Sequence, residues 1–411
     1  MNFTRRRFLS AASASAAGFS AVSALNSSAL GEGIKSVPNI AGFDETFTKI
    51  DETRPWEKYS DRKIRVGLVG YGVCRFSTQF SLQNHPNAEV AAVSDLVPER
   101  CAALAKEARC EKTYPSLEEM LNDDSIEAIF LATDAPSHCR QSIEVLKRGK
   151  HVAVAVPAMF GNLEEAFELY ETVKAHPELV YAMFETTAYR DSCYAMRQLY
   201  RAGAFGKMVY SEGEYYHYSS GGIGGIGSWK NWRRGLPPQY YPTHSNGFYC
   251  CVTGGSFTEV SCMGVKSLQE RYQDNVNAYQ NQFGTEIALF RTSEGGTARM
   301  AVSWDTPQFG GEMGRCRGQL GSFYEKFGGN EEGNEIAKNV NIIKPALPPG
   351  VEPGGHGGSH GYLGHDFIDS ILRKRSPLVD VRMALNLSIP GFIAHQSALK
   401  DGELLKIPQF N

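Results

Sequence analysis

Lys63-Ile64-Arg65-Val66-Gly67-Leu68-Val69-Gly70-Tyr71-Gly72 opens the folded body of the chain, and VCRFSTQFSLQNHPNAEVAAVSD (73–95) completes the stretch whose reading decides the fold. An apolar strand runs straight into Gly70-x-Gly72. SLQNHPNA (81–88) reads as a helix end and a turn, and EVAAVSD (89–95) as a second strand closed by an acid. The 25 residues from Gly70 to Asp95 are near the ~20 at which a strand–turn–helix–strand unit brings a glycine turn and an acid together. Such glycines let backbone approach a pyrophosphate at a helix N-terminus, and the acid takes a ribose hydroxyl. Gly70, Tyr71, Gly72 and Asp95 are therefore candidate dinucleotide contacts. Asp95 favours NAD over NADP, because a carboxylate repels a 2′-phosphate. The third glycine of the pattern is Arg75 here. A lone Gly-x-Gly also fits a tight turn in another α/β domain.

Working outward, residues 98–108 read as a helix. SLEEMLNDDSIEAIFLATDAPSHCRQSIEVLKRGKHVAVAVPA (116–158) reads as helix, turn, strand, loop, helix, strand. The buried strand 126–133 ends at Thr133, the helix 138–147 starts at His138, and the strand 151–156 runs to Pro157. This alternation implies a doubly wound parallel sheet with its crevice at the carboxyl ends of the strands. Thr133, His138 and Pro157 fall there and join the cofactor candidates.

VGLVGYG…VSD…EAIFLATDAPSH…KRGKHVAVAVPA resembles the Gfo/Idh/MocA oxidoreductase family, whose members include glucose-fructose oxidoreductase and inositol dehydrogenase. The likeness runs from about Lys63 to the C-terminus. It implies an α/β Rossmann domain (63–185) followed by an α+β substrate domain (186–411) with a large, open, mostly antiparallel sheet that supports a homo-oligomer. It also implies NAD(P) and a carbohydrate substrate. Most family dehydrogenases carry Glu-Lys-Pro after the His-Val strand, the lysine handling the substrate hydroxyl proton. Here the place reads Ala155-Val156-Pro157, and Val156 cannot move a proton.

In the second half, residues 180–185 read as a strand, Glu185-Thr186-Thr187-Ala188-Tyr189 leads into a helix through 201, and residues 208–218 alternate as a strand. GGIGGIGSWKNWRRGLPPQ (221–239) is either a flexible surface loop or a lid. Its Trp229, Trp232 and Arg233 suit the face of a sugar, and His217 and Tyr241 flank it as further substrate candidates.

Tyr241-Pro242-Thr243-His244-Ser245-Asn246-Gly247 resembles the Tyr-Pro-Thr-His-Gly motif of glycoside hydrolase family 109, an NAD-using offshoot of the same superfamily. That family has Glu-Asn-x-x-Tyr where this chain has Glu185 to Tyr189, and it too lacks the lysine. The resemblance implies Tyr189 and His244 as catalytic residues, with Thr186 in place of Asn and Ser245 in place of Gly. Read alone, His244 is either a proton-transfer residue near neutral pH or a satisfied core histidine. Tyr189 is either a base with a depressed pKa beside a cationic nicotinamide or a helix-start aromatic. The cluster Gly354-Gly355-His356-Gly357-Gly358-Ser359-His360, with His365-Asp366, offers metal-type ligands without helical spacing. No metal is assigned to it, and a loop closing over the site is the family-type reading.

The 42 Lys+Arg against 45 Asp+Glu leave a net charge of −3, which excludes a nucleic-acid binder driven by a basic excess. Past the N-terminus no apolar run is long enough for a membrane span. The nine cysteines are odd in number and form no CxxC, so neither a disulfide framework nor a paired-cysteine zinc site is indicated. One or two long-range disulfides stay open for an exported chain. Thr4-Arg5-Arg6-Arg7-Phe8-Leu9 followed by AASASAAGFSAVSAL (11–25) resembles a twin-arginine signal over residues 1–29, with an arm over 30–62. A periplasmic or other extracytoplasmic location is expected.

An exported protein has no ready pool to reoxidise NADH. The expected function is therefore redox-neutral glycoside cleavage with bound NAD: a ring hydroxyl is transiently oxidised, the C1 substituent is eliminated, water adds and hydride returns. The alternatives are an ordinary NAD(P)-dependent sugar or polyol oxidoreductase, and a non-catalytic sugar-binding module.

Overall fold

Strand β1 (Ile64–Val69) buries five of its six residues, as a strand covered on both faces must. In the computed structural model, which describes residues 50–218, 229–273 and 277–410, β1 lies at the centre of a parallel sheet. Its other strands are β2 (Ala88–Ser94), β3 (Thr113–Tyr114), β4 (Ala128–Leu131), β5 (His151–Val154) and β6 (Tyr181–Met183), in the order β3-β2-β1-β4-β5-β6. That is the doubly wound order, which puts the crevice at the carboxyl ends beside β1. Helices α1 (Pro98–Ala108), α2 (Leu117–Met120), α3 (His138–Lys147) and α4 (Leu163–Ala175) complete the layers.

One expected element does not form. After Gly72 the chain makes two 3₁₀ turns, Phe76–Thr78 and Leu82–Asn84, each preceded by a left-handed residue, Arg75 (φ 50°) and Ser81 (φ 57°). The stretch FSTQFS is rich in hydroxyls that compete for backbone partners; the Ser77 hydroxyl donates back to the Gly70 carbonyl.

The second sheet holds β7 (Met208–Tyr216), β8 (Phe257–Lys266), β9 (Phe283–Thr292), β10 (Thr297–Ser303), β11 (Gly311–Gly318), β12 (Gly321–Tyr324), β13 (Lys326–Gly329) and β14 (Leu405–Lys406). The order is β13-β12-β11-β7-β10-β9-β8-β14. Only β7 and β10 pair in parallel; the other neighbours are antiparallel. One face packs on α5 (Asp191–Arg201) and α6 (Thr243–Thr253), with α7 (Glu331–Ala337), α8 (His360–Arg373) and α9 (Val381–Ala398) following. The other face exposes Met263, Val265, Leu289 and Met313.

Every residue of α6 is buried. It fits because β7 has Gly213 beneath it, where an added Cβ would lie 2.1 Å from the Ser245 carbonyl oxygen. Its polar residues are bonded from inside: Ser245 Oγ donates to Pro242 O at 2.9 Å and Asn246 Nδ2 to Leu387 O at 2.8 Å. In α9, Pro390 has no N–H to give the Asn386 carbonyl, and Cys250 Sγ of α6 donates there at 3.8 Å.

All nine cysteines are free, eight of them buried, so the disulfides left open by the sequence do not form. No helix of the described residues is long and apolar enough to cross a membrane. The signal over 1–29, most of the arm and the glycine run 221–228 lie outside the described residues.

Candidate active site

A cleft opens at the carboxyl ends of the first sheet. Gly70 has φ +92°, and a Cβ there would stand 2.6 Å from the Ala132 carbonyl oxygen, whereas one on Gly72 would meet nothing within 4 Å. The turn is thus closed against the sheet and open toward the cleft. Asp95 accepts from the Tyr71 N–H at 2.6 Å and from Val97 at 2.8 Å, which fixes the turn to the end of β2. This glycine turn, the open space above it and the carboxylate beside it fit a dinucleotide.

Thr133 lines the cleft and donates to Gln141 Oε1 at 2.5 Å. His138 is buried, which lowers its pKa, and its Nδ1 lies 2.9 Å from the Pro157 carbonyl oxygen. Its Nε2 is 3.4 Å from Thr133 O. The ring therefore braces the two loops that follow β4 and β5. Pro157 stands behind the lining residues Ala155 and Val156 and contributes only its carbonyl to this brace.

The second domain closes the cleft with Trp229, Trp232, Arg233 and Tyr241. The Arg233 guanidinium lies 4.3 Å from the Trp232 ring and 5.6 Å from the Tyr241 ring. Trp232 meets Phe160 edge-on at 5.7 Å. Burial raises the Tyr241 hydroxyl to about 12. His217, half-buried at the end of β7, packs against Tyr215, and burial followed by Arg233 and His244 lowers its pKa.

Behind Tyr241, at 5.7 Å between rings, lies His244. Its Nδ1 is 2.8 Å from Glu185 Oε1 and 3.2 Å from Thr186 Oγ1, which leaves Nε2 for chemistry. Burial opposes the imidazolium, but Glu185 and then Glu312 outweigh it and hold the His244 pKa above its ordinary value. Burial likewise opposes the Glu185 anion, and His244 overcomes it, so that carboxyl sits below its ordinary range. Both shifts favour a charged pair. Glu312, on β11, is 3.4 Å from Arg190 Nη1 and 3.8 Å from His356 Nε2; burial raises its carboxyl.

The 354–360 cluster closes this group. His356 sits left-handed at φ 49° between flexible glycines, stacks 5.9 Å from His244 and lies 2.7 Å from His360 Nε2 through its Nδ1. Burial, then His244 and His360, push its pKa down to about 3. Its side chain is 29% exposed against 4% for His244, so it stands at the mouth of the group. No set of three or more His, Cys, Asp or Glu among the described residues has the geometry of a metal site.

Tyr189 is not brought to the cleft. It is fully buried, its ring stacked on Tyr362 at 5.8 Å and beside the Arg197 guanidinium at 5.5 Å. Its carbonyl accepts from Lys344 Nζ at 2.9 Å, and the same ammonium donates to Gly358 O at 2.9 Å. Lys344 so ties the Glu185–Tyr189 turn to the His356 loop. Glu312 had no sequence signal, because it joins the site only through the pairing of β11 with β7, and Arg190, which adjoins the Glu185–Tyr189 turn, takes its place through its ion pair with Glu312.

Residues 64–184 match the Gfo/Idh/MocA family, described as an oxidoreductase family with an NAD-binding Rossmann fold. Over 275 residues the chain is 26% identical to "Glycosyl hydrolase family 109 protein 1" of Bacteroides thetaiotaomicron, covering 60% of this chain and 56% of that protein. A "Glycosyl hydrolase family 109 protein" of Porphyromonas gingivalis is 24% identical over the same shares. The chain thus spans little more than half the length of the curated relatives it matches. Among solved structures, levoglucosan dehydrogenase in complex with NADH and levoglucosan superposes with a TM-score of 0.68 at 17% identity, over 85% of this chain and 100% of that one. The apo scyllo-inositol dehydrogenase of Lactobacillus casei gives 0.66 at 16% identity, over 85% and 99%. These likenesses show the shared fold.

Proposed function

We propose that this chain, built on a Gfo/Idh/MocA-type NAD-binding domain, is an exported enzyme that cleaves a glycoside with no net redox change. One observation carries the reading: behind Tyr241, which lines the same cleft as Val156, the residue in the place of a proton-handling lysine, lies the buried His244–Glu185 pair. When bound, the nicotinamide supplies a reversible hydride acceptor for a ring carbon of the sugar. Gly70, Tyr71, Gly72, Asp95 and Thr133 would hold the cofactor, and the Asp95 carboxylate favours NAD over NADP.

The residues of the chain move the protons. Environments that push two pKa values apart assign acid and base. His244, held as imidazolium by Glu185, donates from Nε2. His356, neutral and at the mouth, accepts, and His360 takes up its other nitrogen. Arg190 and Glu312 fix the charge around them. Tyr241, Trp229 and Trp232 cover the apolar face of a sugar, and His217 flanks them. Tyr189 is a positioning residue that acts through Lys344. The open face of the second sheet supports a homo-oligomer.

The test is native mass spectrometry of the purified protein, followed by a screen of nitrophenyl glycosides without added cofactor. Retained NAD with nitrophenol release, abolished in His244→Ala, is the expected result. Nitrophenol release absent throughout, with stoichiometric NADH formation from free sugars or polyols, would replace this reading with a plain dehydrogenase.

A further inference from the structure

A dinucleotide brings two phosphate charges into a cleft walled by protein, and these need positive partners. In a doubly wound domain the helix after the glycine turn supplies them through its free N–H groups and dipole. Here that helix is absent. Three-residue turns take its place, and they have no macrodipole to offer.

Two arginines stand where the charge is missing. Arg75 follows the turn directly and lines the cleft, its guanidinium 5.5 Å from the Tyr71 ring. Arg233 comes from the other domain. Its Nη2 reaches to 3.8 Å from the Sγ of Cys74, inside the turn that follows Gly72, and its charge is felt by His138, which lines the same cleft. The guanidinium therefore lies across the cleft above the turn.

The segment that carries Arg233 is fastened to its own domain. Tyr279 Oη donates to Trp232 O at 2.5 Å, Trp304 Nε1 to Leu236 O at 3.1 Å, and Asn281 Nδ2 to Gly235 O at 3.2 Å. Further on, the Gln239 N–H donates to the buried Glu286 at 2.7 Å. A guanidinium held this way has little ordering entropy left to lose when it meets an anion.

We propose that Arg233, with Arg75, replaces the missing helix as the cationic partner of the cofactor pyrophosphate, and that this cross-domain strap keeps the dinucleotide resident between turnovers. The inference rests on the NAD-dependent reading above. It assigns Arg233 to the phosphates rather than to the sugar, where its sequence context alone had placed it.

The experiment compares the full chain with Arg233→Gln and Arg233→Lys. Bound nucleotide is counted after dialysis, NADH release is followed by its fluorescence, and ADP and adenosine affinities are measured by calorimetry. Arg233→Gln should release NADH at least tenfold faster and weaken ADP by a similar factor. Adenosine affinity and thermal unfolding should stay unchanged, and Arg233→Lys should recover part of the loss. NADH release within twofold of the unmodified protein, or an equal loss for adenosine and ADP, overturns the role of Arg233 while leaving cofactor binding intact. An unmodified protein that takes up neither NAD nor NADP overturns the NAD-dependent reading, and this inference with it.

Discussion

The His244–Glu185 pair stands or falls on mutual burial. Taking either charge away leaves the other uncompensated, and breaking such a pair costs about 3–5 kcal/mol. Glu185→Ala should lower the unfolding free energy by that amount in denaturant titrations. Glu185→Gln keeps the shape and removes the charge, so the His244 pKa should fall, which NMR of the ring protons reads directly. The sign of the pH dependence follows from the two shifts. The raised His244 pKa contributes stability below the unfolded value of 6.5, lost as pH rises through the folded pKa. The lowered Glu185 pKa contributes above 4.5, lost as pH falls. The pair is therefore fully effective between those values. With His244 as the acid, kcat/KM should decline on the alkaline side along a limb above pH 6.5, and Glu185→Gln should move that limb toward lower pH.

At the level of elements, the site depends on how closely α6 lies on β7. Gly213→Ala drives a methyl into the Ser245 carbonyl, an overpacking that costs ~1–3 kcal/mol. Its thermal unfolding should drop accordingly, with activity falling further because His244 rides on the displaced helix. The parallel sheet was legible in the sequence, since its strands are continuous apolar runs with turn residues at their ends. Helices 98–108 and 138–147 were read at their observed bounds. The helix after Gly72 was expected from the pattern of the unit and is missing: the chain turns left-handed at Arg75 and Ser81 instead, and the Ser77 hydroxyl bonds back to the Gly70 carbonyl. Gly70, Asp95 and His244 could be picked out from local motifs. Glu312 could not, since pairing between strands ninety-odd residues apart leaves no local trace, and Arg190, although it adjoins the Glu185–Tyr189 motif, has its role set only by the ion pair with Glu312. Tyr189 was singled out by a motif whose backbone is at the site and whose ring is not.

Across the whole molecule, acid should act mainly through histidines. His85, His356, His360 and His365 have pKa values pushed down to between about 3 and about 4, chiefly by burial. The unfolded chain binds their protons first, so stability present above pH 6.5 is lost as pH falls toward those values, each imidazole contributing up to ~1.4 kcal/mol per pH unit. Melting temperature against pH should drop steeply below 6.5, and His365→Asn should flatten the slope. The thiols set a second expectation. Ellman's reagent should titrate one sulfur, Cys74, in the native protein and nine in guanidinium, since only Cys74 is even partly exposed. That arrangement bears on the order of events during the proposed export. A chain threaded through a membrane unfolded would offer all nine sulfurs to an oxidising compartment and become trapped in mispaired crosslinks. A chain that folds in the cytosol first crosses with eight of them already sealed, so the interior of this protein is chemically suited to a route that moves finished molecules.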